Sequence, residues 1–366
     1  MEKIRGVNLG NWLVLEKWMH PPLFHGVDAE DETDLCLLLS DDEKKGRLKA
    51  HRDSYITEYD FRYIKNIGMN IVRLPVPHFV FGDRPEFCEP YVPCIEYVDK
   101  AFEWAKKTGL KVLIDLHTAP DSQNGFDNGG ICGVCKWHTK EENIERTLEV
   151  LEMLAKRYKD NDALYGIQLL NEPLAPFMWE FIKKRYPPSD PERAKGSGGV
   201  PTEVLRDFYT RGYHRLRKHL DEDKVIMFHD GFRLKEWEGF MQGPEYKNIM
   251  FDAHIYLAMT DHDLPETIRL SHYLQKLEEY AEGLRYMRQF FPIIIGEWSL
   301  MHKITGMEDF TAAELRHSYS TIANAQLFTW ESATDGWIFW SYKLLSESPG
   351  WSLRDCIQKG WFPFIA

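Results

Sequence analysis

Short apolar runs rich in Ile, Val and Leu alternate along this chain with longer segments in which apolar residues return every three to four positions. The short runs predict strands at Ile4–Leu9, Asn70–Pro75, Lys111–Leu116, Leu164–Leu170, Val225–Phe228, Asn248–His254, Pro292–Ile295 and Gly336–Trp340. The periodic segments predict helices at Ile56–Asn66, Ile95–Thr108, Glu141–Tyr158, Thr202–Leu220, Tyr273–Phe290 and Ala312–Phe328, with Gly68 and Gly109 as helix stops. Eight strands spaced by helices predict one α/β domain over residues 1–366, a (β/α)8 TIM barrel, although an open doubly wound sheet shares the local pattern. Two connections break the short-loop rule: Trp18 to about Arg52 after the first strand, and Pro173 to Pro201 after the fourth. Both read as long loops, and the second reads as irregular through Tyr186, Pro187, Pro188 and the KGSGGV run of Lys195–Val200. In a barrel both would wall the face at the strand C-termini.

That face is where the chemistry collects. Arg73 ends the second predicted strand, His117 follows the third, Asn171 and Glu172 the fourth, His254 and Tyr256 the sixth, Glu297 the seventh, and Trp340 closes the eighth. Two carboxylates from separate strands suit an acid and a nucleophile on opposite sides of a scissile acetal: one needs a raised pKa, the other must stay ionised. Acyl transfer fits worse, since no G-x-S-x-G elbow occurs.

Composition narrows the ligand. The chain of 366 residues carries 45 Lys+Arg against 57 Asp+Glu, a net −12 that disfavours nucleic acid and anionic membrane surfaces as partners. Twelve Trp and 17 Tyr suit flat, partly apolar ligands such as sugars, or simply a large aromatic core. The sequence shows no export signal or membrane-length apolar run, so a cytoplasmic location is expected. The six cysteines are expected as free thiols, and Cys132 and Cys135, a C-x-x-C in a Gly-rich loop, lack the second pair that a zinc site would need.

The strand-end motifs together resemble glycoside hydrolase family 5 of the retaining clan A: LLNEP (Leu169–Pro173), IIGEW (Ile294–Trp298), Arg73 in VRLPV, His117 in DLHTAP, His254 and Tyr256 in DAHIY, and Trp340 in GWIFW. RGVNLGNWLVLEKW (Arg5–Trp18), SQNGFDNGG (Ser122–Gly130) and KLLSESPGW are similar to the exo-β-1,3-glucanase branch, whereas the CGVCKW that follows departs from its fungal pattern. The resemblance implies a retaining exo-β-glycosidase with no metal or organic cofactor, acting on short β-linked oligosaccharides. It assigns Glu172 as acid/base and Glu297 as nucleophile, Arg73 and Tyr256 to orienting the nucleophile, and Asn171 to the 2-hydroxyl. His117 and His254 would order the polar floor, Trp340 would lie beneath the sugar ring, Glu16 and Asp127 would bind terminal-sugar hydroxyls, and Phe126 would clamp the next sugar. Glucose is the first expectation for that terminal sugar. Mannose is the alternative, because intracellular bacterial relatives include β-mannosidases; a carbohydrate-binding barrel without catalysis is the rival from another class.

Overall fold

Each apolar run forms a strand in the computed structural model, which describes residues 3–260 and 264–363. The strands are β1 (Ile4–Asn8), β2 (Ile71–Val76), β3 (Lys111–Leu116), β4 (Leu164–Gln168), β5 (Val225–His229), β6 (Ile249–His254), β7 (Ile293–Glu297) and β8 (Gly336–Phe339). They pair in parallel in chain order, and β8 returns to β1, so the sheet closes into a barrel and the open-sheet reading is excluded.

Side-chain alternation along the strands divides this barrel into layers. Ile4, Ile71, Leu113, Val225, Met227, Met250, Ile294 and Ile338 form one apolar cluster that plugs the lower lumen. Their neighbours of opposite parity, such as Val72, Val112, Ile226, Phe251 and Ile295, pack outward in the main core beneath the helices. Two residues further up the strands the inward positions turn polar: Asn8, Arg73, Asp115, His229 and Asp252 are all fully buried. Register shifts between β6 and β7 at Ala253/His254. There Gly296 admits the Asp252 carboxylate: a Cβ on Gly296 would lie 2.2 Å from Asp252 Oδ1, whereas the Gly296 N–H donates to that oxygen at 2.7 Å.

The connection after β1, expected as a long loop, carries α1 (Glu32–Leu38) and α2 (Asp41–Tyr55) ahead of α3 (Glu58–Asn66). Polar caps specify these helices: Asp31 accepts from the Asp34 N–H, and Ser40 with Glu43 and Thr57 with Asp60 form capping boxes. Only Leu48, His51, Arg52 and Tyr55 of α2 are buried, so it offers almost no apolar stripe to read. After β2 come α4 (Pro85–Cys88) and α5 (Ile95–Thr108), and after β3 α6 (Glu141–Tyr158). Gly68 and Gly109 lie just past α3 and α5 with φ of 90° and 71°. The connection after β4 holds α7 (Trp179–Arg185) before α8 (Thr202–Arg217), correcting the all-loop reading there too. Next are α9 (Leu270–Met287), α10 (Ala312–Ala333) and α11 (Leu353–Gln358). Between β5 and β6 stands only a 3-10 turn, Leu234–Trp237, and Trp237 and Phe240 cover Phe228 there in place of a helix. All six cysteines are buried and free; burial pushes the Cys132 and Cys135 thiols far above their ordinary value. Among the described residues no helix is long and apolar enough to cross a membrane.

Candidate active site

The upper lumen is organised around one guanidinium. Arg73, fully buried on β2, donates from Nε to Gln168 Oε1 (2.8 Å), from Nη1 to Asn8 Oδ1 (2.9 Å) and Glu297 Oε1 (2.8 Å), and from Nη2 to Asn171 Oδ1 (2.8 Å). Asp115 Oδ2 lies 3.1 Å from Nη2 and also receives His117 Nδ1 at 2.5 Å. Neutralising charge and filling five donors in a fixed fork make burial of this cation tolerable. The second oxygen of Glu297 accepts from the Tyr256 hydroxyl at 2.7 Å. With its amide oxygen committed to Arg73, Asn171 turns its N–H2 group into the site, 3.4 Å from His117 Nε2.

His254 joins the two carboxylates. Its Nδ1 stands 2.7 Å from Glu172 Oε1 and 3.4 Å from Glu297 Oε2, and its Nε2 donates to Asp252 at 3.1 Å. Those two distances bound the separation of the carboxylate oxygens at about 6 Å, on the retaining side of the ~6.5–9.5 Å that an inverting pair needs for its water. Burial opposes the charge on His254, but Glu297, Asp252 and Glu172 outweigh it and hold the imidazolium well above its ordinary pKa. Burial likewise pushes Glu172 up, yet the hydrogen bonds from His254 and Asn128 win and leave it below the usual range. Glu297 is raised, by burial first and by the Glu172 charge. The expected order, with the acid raised and its partner lowered, is therefore reversed in the free protein, because the proton shared with Glu172 resides on His254.

Glu172 sits in the left-handed region at φ 44°, a conformation costing a non-glycine residue ~1–3 kcal/mol unless its surroundings impose it. Upstream they do: the Asn171 N–H donates to Leu116 O (2.9 Å), and Gln123 Nε2 donates to Asn171 O and to His117 O, each at 2.8 Å.

The walls come from the loops. Glu16, nearly buried after β1, accepts from Trp18 Nε1 at 2.9 Å, and its carboxyl is pushed well up by burial and by the charge of Asp127. Asp127, in the loop after β3, is itself raised to about 6 by burial. Phe126 beside it faces Tyr186 (ring centroids 5.4 Å) and Phe232 (6.4 Å), an aromatic wall drawn from three loops. Trp340 stacks on His117 at 5.6 Å and 9°, backed by Met19 and Leu344, and Trp351 packs between Trp18 and Tyr256. Every site residue read from the sequence thus lines this one end of the barrel. Sequence reasoning missed Asn128, whose Nδ2 donates to Glu172 Oε2 at 3.0 Å, although it lies inside the quoted SQNGFDNGG run. It also missed Asn8, Asp115, Gln168, His229 and Asp252. Their signal was a lone polar residue of inward parity in an otherwise apolar strand.

Ligand atoms of Glu172, His229 and His254 lie within 4.8 Å of one another, as a metal triad would. His229 Nδ1, however, accepts the Gly231 N–H at 2.9 Å, so its Nε2 carries the proton and is a donor. His254 is committed at both nitrogens, to Glu172 and Asp252, so neither histidine offers a lone pair to a metal.

A closed parallel barrel with two paired carboxylates at its strand C-termini is the architecture of a glycoside hydrolase. The family described as Cellulase (glycosyl hydrolase family 5) matches residues 42–345, and the chain belongs to that family. It is 34% identical to a probable glucan 1,3-beta-glucosidase A of Emericella nidulans, over 99% of this chain and 90% of that protein. To a glucan 1,3-beta-glucosidase of Blumeria graminis it is 30% identical, over 99% of this chain and 87% of that protein. The crystal structure of a rutinosidase from Aspergillus niger shares the fold, with a TM-score of 0.78 at 21% identity over 99% of this chain and 98% of that one.

Proposed function

We propose that the chain is a retaining, exo-acting β-glucosidase that removes the terminal glucose from short β-linked oligosaccharides, β-1,3-linked ones first. The observation that carries this reading is the pair of carboxylates joined through His254, in a protein whose near full-length relatives bear the name glucan 1,3-beta-glucosidase. The β-mannoside reading and the non-catalytic barrel draw no support from those relatives.

In this mechanism Glu297, oriented by Arg73 and Tyr256, attacks the anomeric carbon while the bond to the leaving oxygen breaks and Glu172 protonates that oxygen. The proton is at hand. Moving it from His254 Nδ1 to Glu172 Oε1 leaves a neutral histidine still bonded through Nε2–H to Asp252, and a neutral pair is favoured once the sugar displaces water. Water then attacks the glycosyl ester, gives its proton to Glu172 and releases the β-anomer. Asn171, with an N–H facing the site, would strengthen its bond to the 2-hydroxyl as the ring becomes oxocarbenium-like.

Two measurements test the proposal. Proton NMR of the first product should show the β-anomer, and an α-anomer would end the double-displacement mechanism. On matched aryl glycosides kcat/KM should favour β-glucoside; a tenfold preference for β-mannoside, about 1.4 kcal/mol in transition-state binding, would overturn the sugar assignment, and absence of turnover would favour the binding barrel.

A further inference from the structure

The left-handed turn at Glu172 is braced upstream by Gln123, and the downstream brace involves a residue that the mechanism leaves unused. Arg233, in the loop after β5, is only 5% exposed and has no carboxylate within ion-pair distance among the described residues. Its donors go to neutral oxygens instead: Nε to Gly231 O (3.0 Å), Nη1 to Val200 O and Thr202 Oγ1 (2.9 Å each), and Nη2 to Pro173 O (3.4 Å). Pro173 directly follows Glu172, and Val200 is where the long β4 loop returns, its N–H donating to Leu174 O at 2.7 Å. One side chain therefore staples both ends of that loop to the β5 loop.

The β5 loop is itself fixed at the point of contact. Gly231 is held by its N–H on His229 Nδ1 and by its carbonyl on Arg233. It lies at φ 60°, and a Cβ there would stand 2.9 Å from Pro173 O, so the two loops touch backbone to backbone. A buried cation whose counter-charges, Glu236, Asp230 and Glu203, all stand beyond ion-pair distance is a poor way to gain stability, because an apolar residue of similar size costs less desolvation. What a guanidinium supplies and an apolar side chain does not is a rigid fork for several acceptors at once.

We propose that Arg233 is a positioning residue for Glu172, setting the carboxyl of the acid/base through the backbone on its C-terminal side. The inference rests on the acid/base reading of Glu172. A misplaced general acid penalises only leaving groups that need protonation, a readout that general loss of structure does not mimic.

The test uses the full chain with Arg233→Lys, Arg233→Gln, Thr202→Val and Glu172→Ala, each assayed for kcat/KM on 2,4-dinitrophenyl β-glucoside, phenyl β-glucoside and a β-1,3-linked disaccharide of glucose. For both Arg233 variants the dinitrophenyl substrate should change less than ~3-fold while the phenyl substrate and disaccharide fall ~10- to 100-fold. Azide should raise kcat on the dinitrophenyl substrate, since it resolves the intermediate without a base. Thr202→Val removes one acceptor from the staple and should move the same ratio in the same direction by less; it decides the matter if the Arg233 variants do not fold. Equal losses on all three substrates, or no change in their ratio, would overturn the role of Arg233 provided Glu172→Ala shows the leaving-group dependence. If Glu172→Ala itself shows none, the acid/base reading falls, and the proposal with it.

Discussion

Glu297→Ala should abolish turnover on every substrate, because the carboxylate that Arg73 and Tyr256 orient is the nucleophile of both displacements. Glu172→Ala should retain turnover of activated aryl glycosides and gain from azide; rescue of Glu297→Ala by azide to an α-azide would show the roles exchanged. His254 supplies a second prediction at this scale. Its pKa is held well above the ordinary value chiefly by Glu297 and Asp252 against burial, so the proton it shares with Glu172 is lost on the alkaline side. The alkaline limb of kcat/KM should therefore lie above pH 6.5 and move toward acid by ~1 unit or more in His254→Gln, with kcat down ~10- to 100-fold; an unmoved limb would remove His254 from the proton path. Glu172 and Glu297, with their partners Arg73, His254 and Tyr256, were legible because each stands at or just past a strand end in a short motif. Arg233 and Gln123 were not, because they act on backbone carbonyls, and such a role leaves no residue-type signature beside the group it serves.

Asp31 ties an element to the pocket. One carboxylate oxygen caps α1 through the Asp34 N–H at 2.9 Å, and the other accepts the Cys132 N–H at 2.7 Å, while Thr33 bonds Gly130 O through both N–H and hydroxyl. The start of α1 thus clips the loop that carries Phe126, Asp127 and Asn128. Asp31→Ala should cost about 0.5–2 kcal/mol as a lost cap and raise KM several-fold with kcat less affected. A denaturation curve with steady-state kinetics checks both, and an unchanged KM would separate α1 from the pocket. Such elements escaped the sequence reading because α1 and α2 are specified by polar caps and α7 buries only Ile182, whereas the helices that were found each lay an apolar stripe on the barrel. Strand ends moved by one or two residues for a related reason: polar residues such as His229 and Glu297 extend the ladder by backbone pairing past the last apolar side chain.

For the molecule as a whole, buried titrating groups pull stability in opposite directions. His51 and His78 are lowered to about 3 by burial; their contribution is complete above the ordinary 6.5 and is lost as pH falls toward 3. Asp31 and Asp127, raised to about 6, and Glu32 and Asp230, raised to about 7, contribute fully only at low pH, and that contribution is lost as pH rises through those values. The four raised carboxyls outnumber the two lowered histidines between about pH 4.5 and 6, so Tm should decline across that range, and above about 7 the fall continues through His254 alone as it gives up its proton. A scan of Tm against pH that climbs from 7 to 9 would contradict this. The loops around Glu16 and Asp127 lead to a further expectation: glucose should be the first product from a trisaccharide, and rapid loss of viscosity from a long β-glucan would mean an open groove. The barrel itself was legible because its lumen and helix layers impose the alternation seen in the apolar runs, and no helix was read between the fifth and sixth strands, where Trp237 and Phe240 cover the gap from a single turn. Arg73 meets groups on β1, β3, β4 and β7 while it holds Glu297. Descent from this chain is constrained accordingly: a lineage can exchange one sugar for another by rewriting loops, and a descendant that has kept the barrel but abandoned the reaction is expected to have surrendered a glutamate and kept the arginine.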